Sequence, residues 1–144
     1  MKAYLDANIS GANLTKDDGA ALAKYIVCYG TPNYPMTRVF IDRKVDVVYS
    51  IGEPVSTPMF DPLTEAPYAY EEHVPITIYT IDKKGVTGTK MKWTAEAELR
   101  SVVENNPTGS LLGLDRRDSR DDDLGSTILY STTYVLNYRR LTSS

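Results

Sequence analysis

Cysteine, histidine and tryptophan each occur once in these 144 residues, and phenylalanine only twice. A lone Cys28 excludes an intramolecular disulfide, so the chain is no stapled secreted scaffold and a reducing compartment suits it best. With one His and one Cys it also falls short of the nitrogen and sulfur donors of a zinc site. Nucleophilic catalysis needs a nucleophile beside a base that a third group orients. His73 could serve Cys28 or a serine in that way, but no spacing ties them together, and a structural or exposed histidine is the plainer reading. There is no Walker motif, and no GxGxxG follows a strand pattern. Gly85-Val86-Thr87-Gly88 is too short for a phosphate loop and serves better to direct a helix. Asp82, Lys83 and Lys84 sit in a turn, which makes a poor metal-dependent nuclease. No catalytic residue, metal ligand or cofactor is assigned, and the chain is not expected to be an enzyme.

Long hydrophobic runs are also missing. Nothing approaches the ~20 apolar residues of a membrane helix, and MKAYLDANISGANLT lacks the apolar core of a signal peptide. A soluble protein with no membrane partner is expected, and the Asn13-Leu14-Thr15 sequon is then a chance match. Basic charge is scarce too: 16 Lys and Arg face 19 Asp and Glu, for a net charge of -3. That balance argues against specific nucleic-acid binding, which usually shows a basic face.

Tyrosine, by contrast, is abundant, with 11 residues. It suits half-buried strands and interfaces, where the ring is covered and the hydroxyl stays wet. The length is that of one domain, and the patterns along it alternate between helix and strand. Residues 1–14 are weakly patterned and read as an N-terminal arm. Thr15 with Asp18 three residues on resembles a capping box, and Leu22, Tyr25, Ile26 and Tyr29 form one face of a helix over 16–28. Val39 and Ile41 alternate in MTRVFID, and VDVVYSI is rich in β-branched residues, so an antiparallel hairpin is expected there. Four of the eight prolines fall within 52–68, which predicts a long proline-rich loop, a feature usually functional or interfacial.

The stretch 69–106 is the centre of the pattern. Val74, Ile76 and Ile78 alternate as in a strand, and pairing should begin after Pro75, which cannot donate to a ladder. A turn at Asp82-Lys83-Lys84-Gly85 follows, and Thr87-Gly88-Thr89 offers a hydroxyl cap to a helix over 90–105. Met91, Ala95, Leu99, Val102 and Val103 form its apolar face. Lys92, Glu96, Arg100 and Glu104 form a polar one, with Glu96 and Arg100 spaced for a surface pair. Trp93 belongs to neither stripe and is expected at the margin of the core. Asn105-Asn106-Pro107 stops the helix. Residues 113–125 form a charged loop in which Asp115, Asp118, Asp121, Asp122 and Asp123 interleave with Arg116, Arg117 and Arg120. STILYSTTYVLNYRR is the longest strand signal, long enough to be bulged or to pass the sheet edge toward another subunit. The fold class is therefore α+β: a single domain over 1–144 with a mixed or mainly antiparallel sheet of about four strands against two helices.

The run YEEHVPITIYTIDKKGVTGTKMKWTAEAELRSVVE, followed by a chain that finishes on the long strand STILYSTTYVLNYRR, resembles the tail-terminator, or tail-completion, family of long-tailed bacteriophages and related head-to-tail joining proteins. The resemblance covers about the last two thirds and lies in element order and texture rather than in an invariant motif. It implies a structural virion protein, made in the host cytoplasm and located in the tail or neck. Such a subunit closes into a homo-oligomeric ring, commonly a hexamer, ends tail polymerisation, and meets the tail tube protein and a neck or head-completion protein. The neck or head-completion role is the nearest alternative. The ring or tube interface implied comprises Asp115, Arg116, Arg117, Asp118, Arg120, Asp121, Asp122 and Asp123, with Tyr134, Arg139, Arg140, Met59 and Phe60. A reading of another class is a small metal-binding or ligand-binding domain that uses the Asp-rich segment, whose carboxylates could gather a hard cation.

Overall fold

The computed structural model describes residues 24–28, 38–40, 44–60, 62–63, 66–82, 88–104, 111–123 and 127–141. Its strands are β1 (Lys24–Cys28), β2 (Val47–Ile51), β3 (Val55–Phe60), β4 (Pro67–Ile81), β5 (Leu111–Asp123) and β6 (Ile128–Leu141), with helix α1 (Gly88–Glu104) between β4 and β5. They form one six-stranded sheet in the order β1-β2-β4-β6-β5, with β3 also paired to β4. Only β1 and β2 run parallel, so the sheet is mixed and the class is α+β, as the sequence patterns imply.

β4 is the spine. Along one side it pairs with β6 from Ala69↔Leu141 to Ile81↔Leu129 without a register shift. Its other side is shared end to end: β2 pairs with residues 76–79 and β3 with 67–73. Gly52 joins those two neighbours. Its amide donates to the Pro75 carbonyl at 2.7 Å, and a Cβ there would lie 2.6 Å from Pro75 Cγ. The N and O of one strand residue point the same way. The hydrogen-less nitrogen of Pro75 therefore faces the β2–β3 junction, where no ladder donor is needed, and pairing runs straight through Pro75 instead of starting after it.

The even residues of β4 and β6 face α1. Val74, Ile76 and Ile78 join Tyr49, Tyr134 and Leu136 against Met91, Ala95, Leu99 and Val102 in the main core. Each buried Val, Ile, Leu or Met among them contributes about 1.5–3 kcal/mol through burial. On the opposite face a smaller cluster of Val39, Phe40, Val45, Val48 and Leu129 covers the far end of the sheet, with Tyr79 and Ile81 against it.

Residues 24–28 are a strand, not the end of a helix, because the β-branched and aromatic run Tyr25-Ile26-Val27 fits a short buried strand as well as a helical face. Residues 38–40, expected inside a strand over 36–42, are helical, and Val39 and Phe40 plug the second face; the rest of that stretch lies outside the described residues. Lys44, at φ 52, then turns the chain toward β2. The 52–68 loop contains β3 and the beginning of β4. Its prolines occupy tolerated places: Pro54 in the β2–β3 break, Pro58 in a strand paired on one side only, Pro62 in a turn and Pro67 at the first position of β4. The charged 113–125 segment lies largely within β5, an end strand of the sheet whose exposed face takes charge readily. Among the described residues six strands thus stand where about four were expected, since β1, β3 and β5 are added and 38–40 are helical. β6 is an interior strand rather than an overhang, and the register shifts fall on its neighbour β5. The arm at 1–14, the Thr87 cap, and the stops at Gly30 and Pro107 lie outside the described residues.

Candidate functional site

At the N-terminal end of β4 the sheet narrows to an arm built from β3, β4 and the end of β6. β3 is exposed along almost its whole length. Val55 is 64% exposed, Phe60 55%, Leu63 92% and Tyr68 48%, which places four large apolar residues of one short segment in water. By register Val55 and Phe60 share one face of the arm and Tyr68 lies on the other, so the arm presents apolar residues on both faces, a concentration that marks an interaction surface more often than single exposed residues do.

A polar clasp fixes the arm from within. Glu72 is buried; it accepts a hydrogen bond from Ser56 Oγ on β3 and one from Arg140 Nε on β6, the latter at 2.9 Å. Arg140 also lies over the Tyr70 ring, 4.7 Å from its centroid. The Ser56 hydrogen bond and then Arg140 hold the Glu72 carboxyl below the ordinary glutamate value, against the opposing effect of desolvation. One carboxylate thus ties three strands.

The implied interface residues divide between faces. Register places Arg116, Ser119 and Asp121 toward α1, and Asp115, Asp118, Arg120 and Asp122 on the opposite face. The shift between Arg116 and Asp118 leaves Arg117 as the extra residue and changes the phase of the strand. Asp121 and Asp122 point to opposite faces, so the Asp121-Asp122-Asp123 run does not converge on one cation. Among the described residues no group of three His, Cys, Asp or Glu is placed to hold a metal ion. On the outer face the charges pair locally, Arg117 with Asp115 at 3.8 Å and Arg120 with Asp122 at 3.6 Å. Arg139 is exposed opposite Glu71, and Met59 is half-buried against Ala69.

Tyr134 must be removed from the interface set. It is 1% exposed, in the main core, with Arg100 lying 5.4 Å from its ring centroid. Lys92 and Glu96 are likewise buried, because α1 lies across β5 as well as β4 and β6 and so covers a wider stripe than its apolar residues mark. Lys92 Nζ donates to Ser119 Oγ at 3.0 Å and sits 3.7 Å from Asp121, while Thr132 donates to the same serine. Glu96 lies 3.8 Å from Arg116 rather than pairing with Arg100. Trp93, expected at a core margin, is 63% exposed.

Register sets Cys28 and His73 apart. Cys28 pairs with Ile51 and Ile51 with Ile76, which puts Cys28 two strands, roughly 10 Å, from β4 and three positions along from His73. The imidazole of His73 is 3.5 Å from Glu71 on a half-exposed surface. Among the described residues no helix is long and apolar enough to cross a membrane. The sequence reading missed the arm and the exposure of Trp93. Its available signal was the set of apolar residues inside a proline-rich segment that has no helical or core-strand period.

No protein-family model matches the chain, and no curated protein matches it. Among solved structures it is similar to a chain described as "Virion of native gene transfer agent (GTA) particle", with 14% identity, 78% of each chain covered and a TM-score of 0.35.

Proposed function

We propose that this chain is a structural virion subunit that assembles into a ring at the end of a phage tail tube, ends tail growth and joins the tail to the head or neck. The reading starts from the resemblance carried by 70–104 and by the closing strand. The observation that supports it best is the arm, whose apolar residues are held out by a clasped three-stranded extension where a monomeric protein would bury them. Met59, Phe60, Arg139 and Arg140 belong to that arm. The outward charges Asp115, Arg117, Asp118, Arg120 and Asp122 supply a polar rim, which is how interfaces are commonly edged.

Negative-stain electron microscopy of the purified protein tests this, with closed rings as the expected result. Removing the protein from particle production separates its two roles. Loss of termination leaves tubes of uncontrolled length; loss of a neck function leaves normal tubes unattached to heads. A stable monomer that binds a divalent cation stoichiometrically would overturn the proposal.

A further inference from the structure

We infer that the β3 arm of one copy docks on the outward stripe of α1 of a second copy, so that subunits join head to tail through two different surfaces. This rests on the assembly reading and specifies its contact.

The stripe is Lys90, Trp93, Ala97, Arg100 and Glu104, spaced three, four, three and four residues apart, hence aligned on one side of the helix, and all five are exposed, with two cations flanking Trp93 and Glu104 at the far end. An exposed tryptophan with a small neighbour, flanked by two cations, is the composition of an interface anchor. The arm carries the opposite charge. From 52 to 72 the sequence contains Glu53, Asp61, Glu65, Glu71 and Glu72 and neither Lys nor Arg. Two cations adjoin it: Arg140 is bound to Glu72, and Arg139 lies opposite Glu71.

Charge selects the pairing. Arm against arm would bring acidic segments together, whereas arm against stripe sets the apolar arm on Trp93 with Lys90 and Arg100 facing acidic residues. Within one chain the far end of the arm does not cover Trp93, and Leu63 and Trp93 are both exposed. The start of α1 sits level with Ile78, since Lys92 bonds Ser119 beside Thr132, and Thr132 pairs with Ile78, while Phe60 pairs with Pro67. From Ile78 to Pro67 is ~35 Å at ~3.3 Å per residue. Strand addition is a poor substitute, because Pro58 interrupts the outer edge of β3 and bulges and charges blunt β5. Two unlike surfaces of one subunit form a heterologous contact, which generates a ring where the rotation closes.

Two variants test this by mass photometry: Leu63→Asp on the arm and Trp93→Asp on the stripe, both at exposed positions, with circular dichroism melts to verify folding. Each alone should fall to the 16.0 kDa monomer. Mixed one to one, they should form a species of twice that mass and no larger, because one arm and one stripe remain intact. A mixture that stays monomeric overturns the head-to-tail pairing. Variants that assemble like the wild type overturn this contact but leave the assembly reading standing. A wild type that is monomeric up to its solubility limit overturns both.

Discussion

Replacing Gly88 with alanine would ordinarily stabilise a helix, since glycine costs about 1 kcal/mol relative to alanine there. Here the sign should reverse. A Cβ at Gly88 would lie 2.3 Å and 2.4 Å from two ring carbons of Tyr130 and 2.9 Å from the Ile81 carbonyl carbon. The backbone cannot yield, and the ring is held: its hydroxyl donates to Asp82 Oδ2 at 3.1 Å, and Lys92 Nζ lies 5.9 Å from its centroid. Asp82 also accepts the Gly88 amide at 2.7 Å, and Thr80 donates to the Gly88 carbonyl, so movement of the ring disturbs the helix cap. Overpacking costs about 1–3 kcal/mol. A lost hydrogen bond adds about 1 kcal/mol, and the helix gain offsets less than 1 kcal/mol at a first-turn position. The net expectation is a loss of ~2 kcal/mol, or ~6 °C in Tm for a chain of this size. Gly113→Ala is the control, because a Cβ there meets nothing within 4 Å. Urea melts of both variants, read by circular dichroism, decide the matter; a Gly88→Ala protein as stable as the wild type would refute the packing argument.

Further outcomes follow from the buried polar groups. Because the Glu72 carboxyl is held below the ordinary 4.5, its contribution is present at neutral pH and is lost as pH falls through its folded value. Thermal melts from pH 7 down to pH 3 should therefore show the Glu72→Gln penalty shrinking only below about pH 4.5. Lys92→Met should change stability by less than about 1 kcal/mol, since Asp121 is 60% exposed and stays solvated, whereas Lys92→Ala should cost ~2 kcal/mol in lost packing of the stem. Tyr134→Phe should cost under about 1 kcal/mol because its hydroxyl contact with Arg100 is 3.5 Å, against about 3–5 kcal/mol for Tyr134→Ala; denaturant midpoints separate the two. Millimolar Mg²⁺ or Ca²⁺ should leave Tm unchanged, since the carboxylates of β5 alternate between faces.

Where a single period governed a segment, the sequence was legible. β2, β6, the C-terminal half of β4 and α1 all fall where alternation or helical spacing placed them. The arm was not, because β3 makes its ladder with β4 rather than with its own pattern, and Pro54, Pro58 and Pro62 spell a loop to any local reading. Nor did β5 read as a strand, since its Asp and Arg residues have low strand preference and only pairing with the regular β6 holds them extended. Residues 24–28 and 38–40 exchanged helix and strand for a related reason: runs of three to five apolar residues carry no decisive period, and the neighbour they meet settles the outcome. Lys92 and Glu96 were placed on a polar face because helical spacing gives direction but not the width of what lies beneath.

That width is also what makes Trp93 informative. α1 is broad enough in its buried stripe to cover Lys92, Glu96 and Glu98, yet it leaves its one tryptophan in water and covers charges instead. A helix free to rotate by the angle between successive residues would bury Trp93 and expose Lys92. It does not, because that turn would lift Met91, Ala95, Leu99 and Val102 out of the main core, and it would break the Lys92–Ser119 hydrogen bond and the Arg100 contact with Tyr134. In the head-to-tail assembly proposed above, the charged strand β5 acts indirectly: its inward Arg116, Ser119 and Asp121 add to the core packing that sets the roll of the helix and holds Trp93 outward. Arg116→Ala combined with Asp121→Ala should accordingly weaken self-association while leaving the arm and the stripe chemically intact. Trp93 fluorescence should shift to shorter wavelength in that variant as the ring turns inward. An unshifted spectrum with unchanged association would show that the roll is set by the apolar core alone.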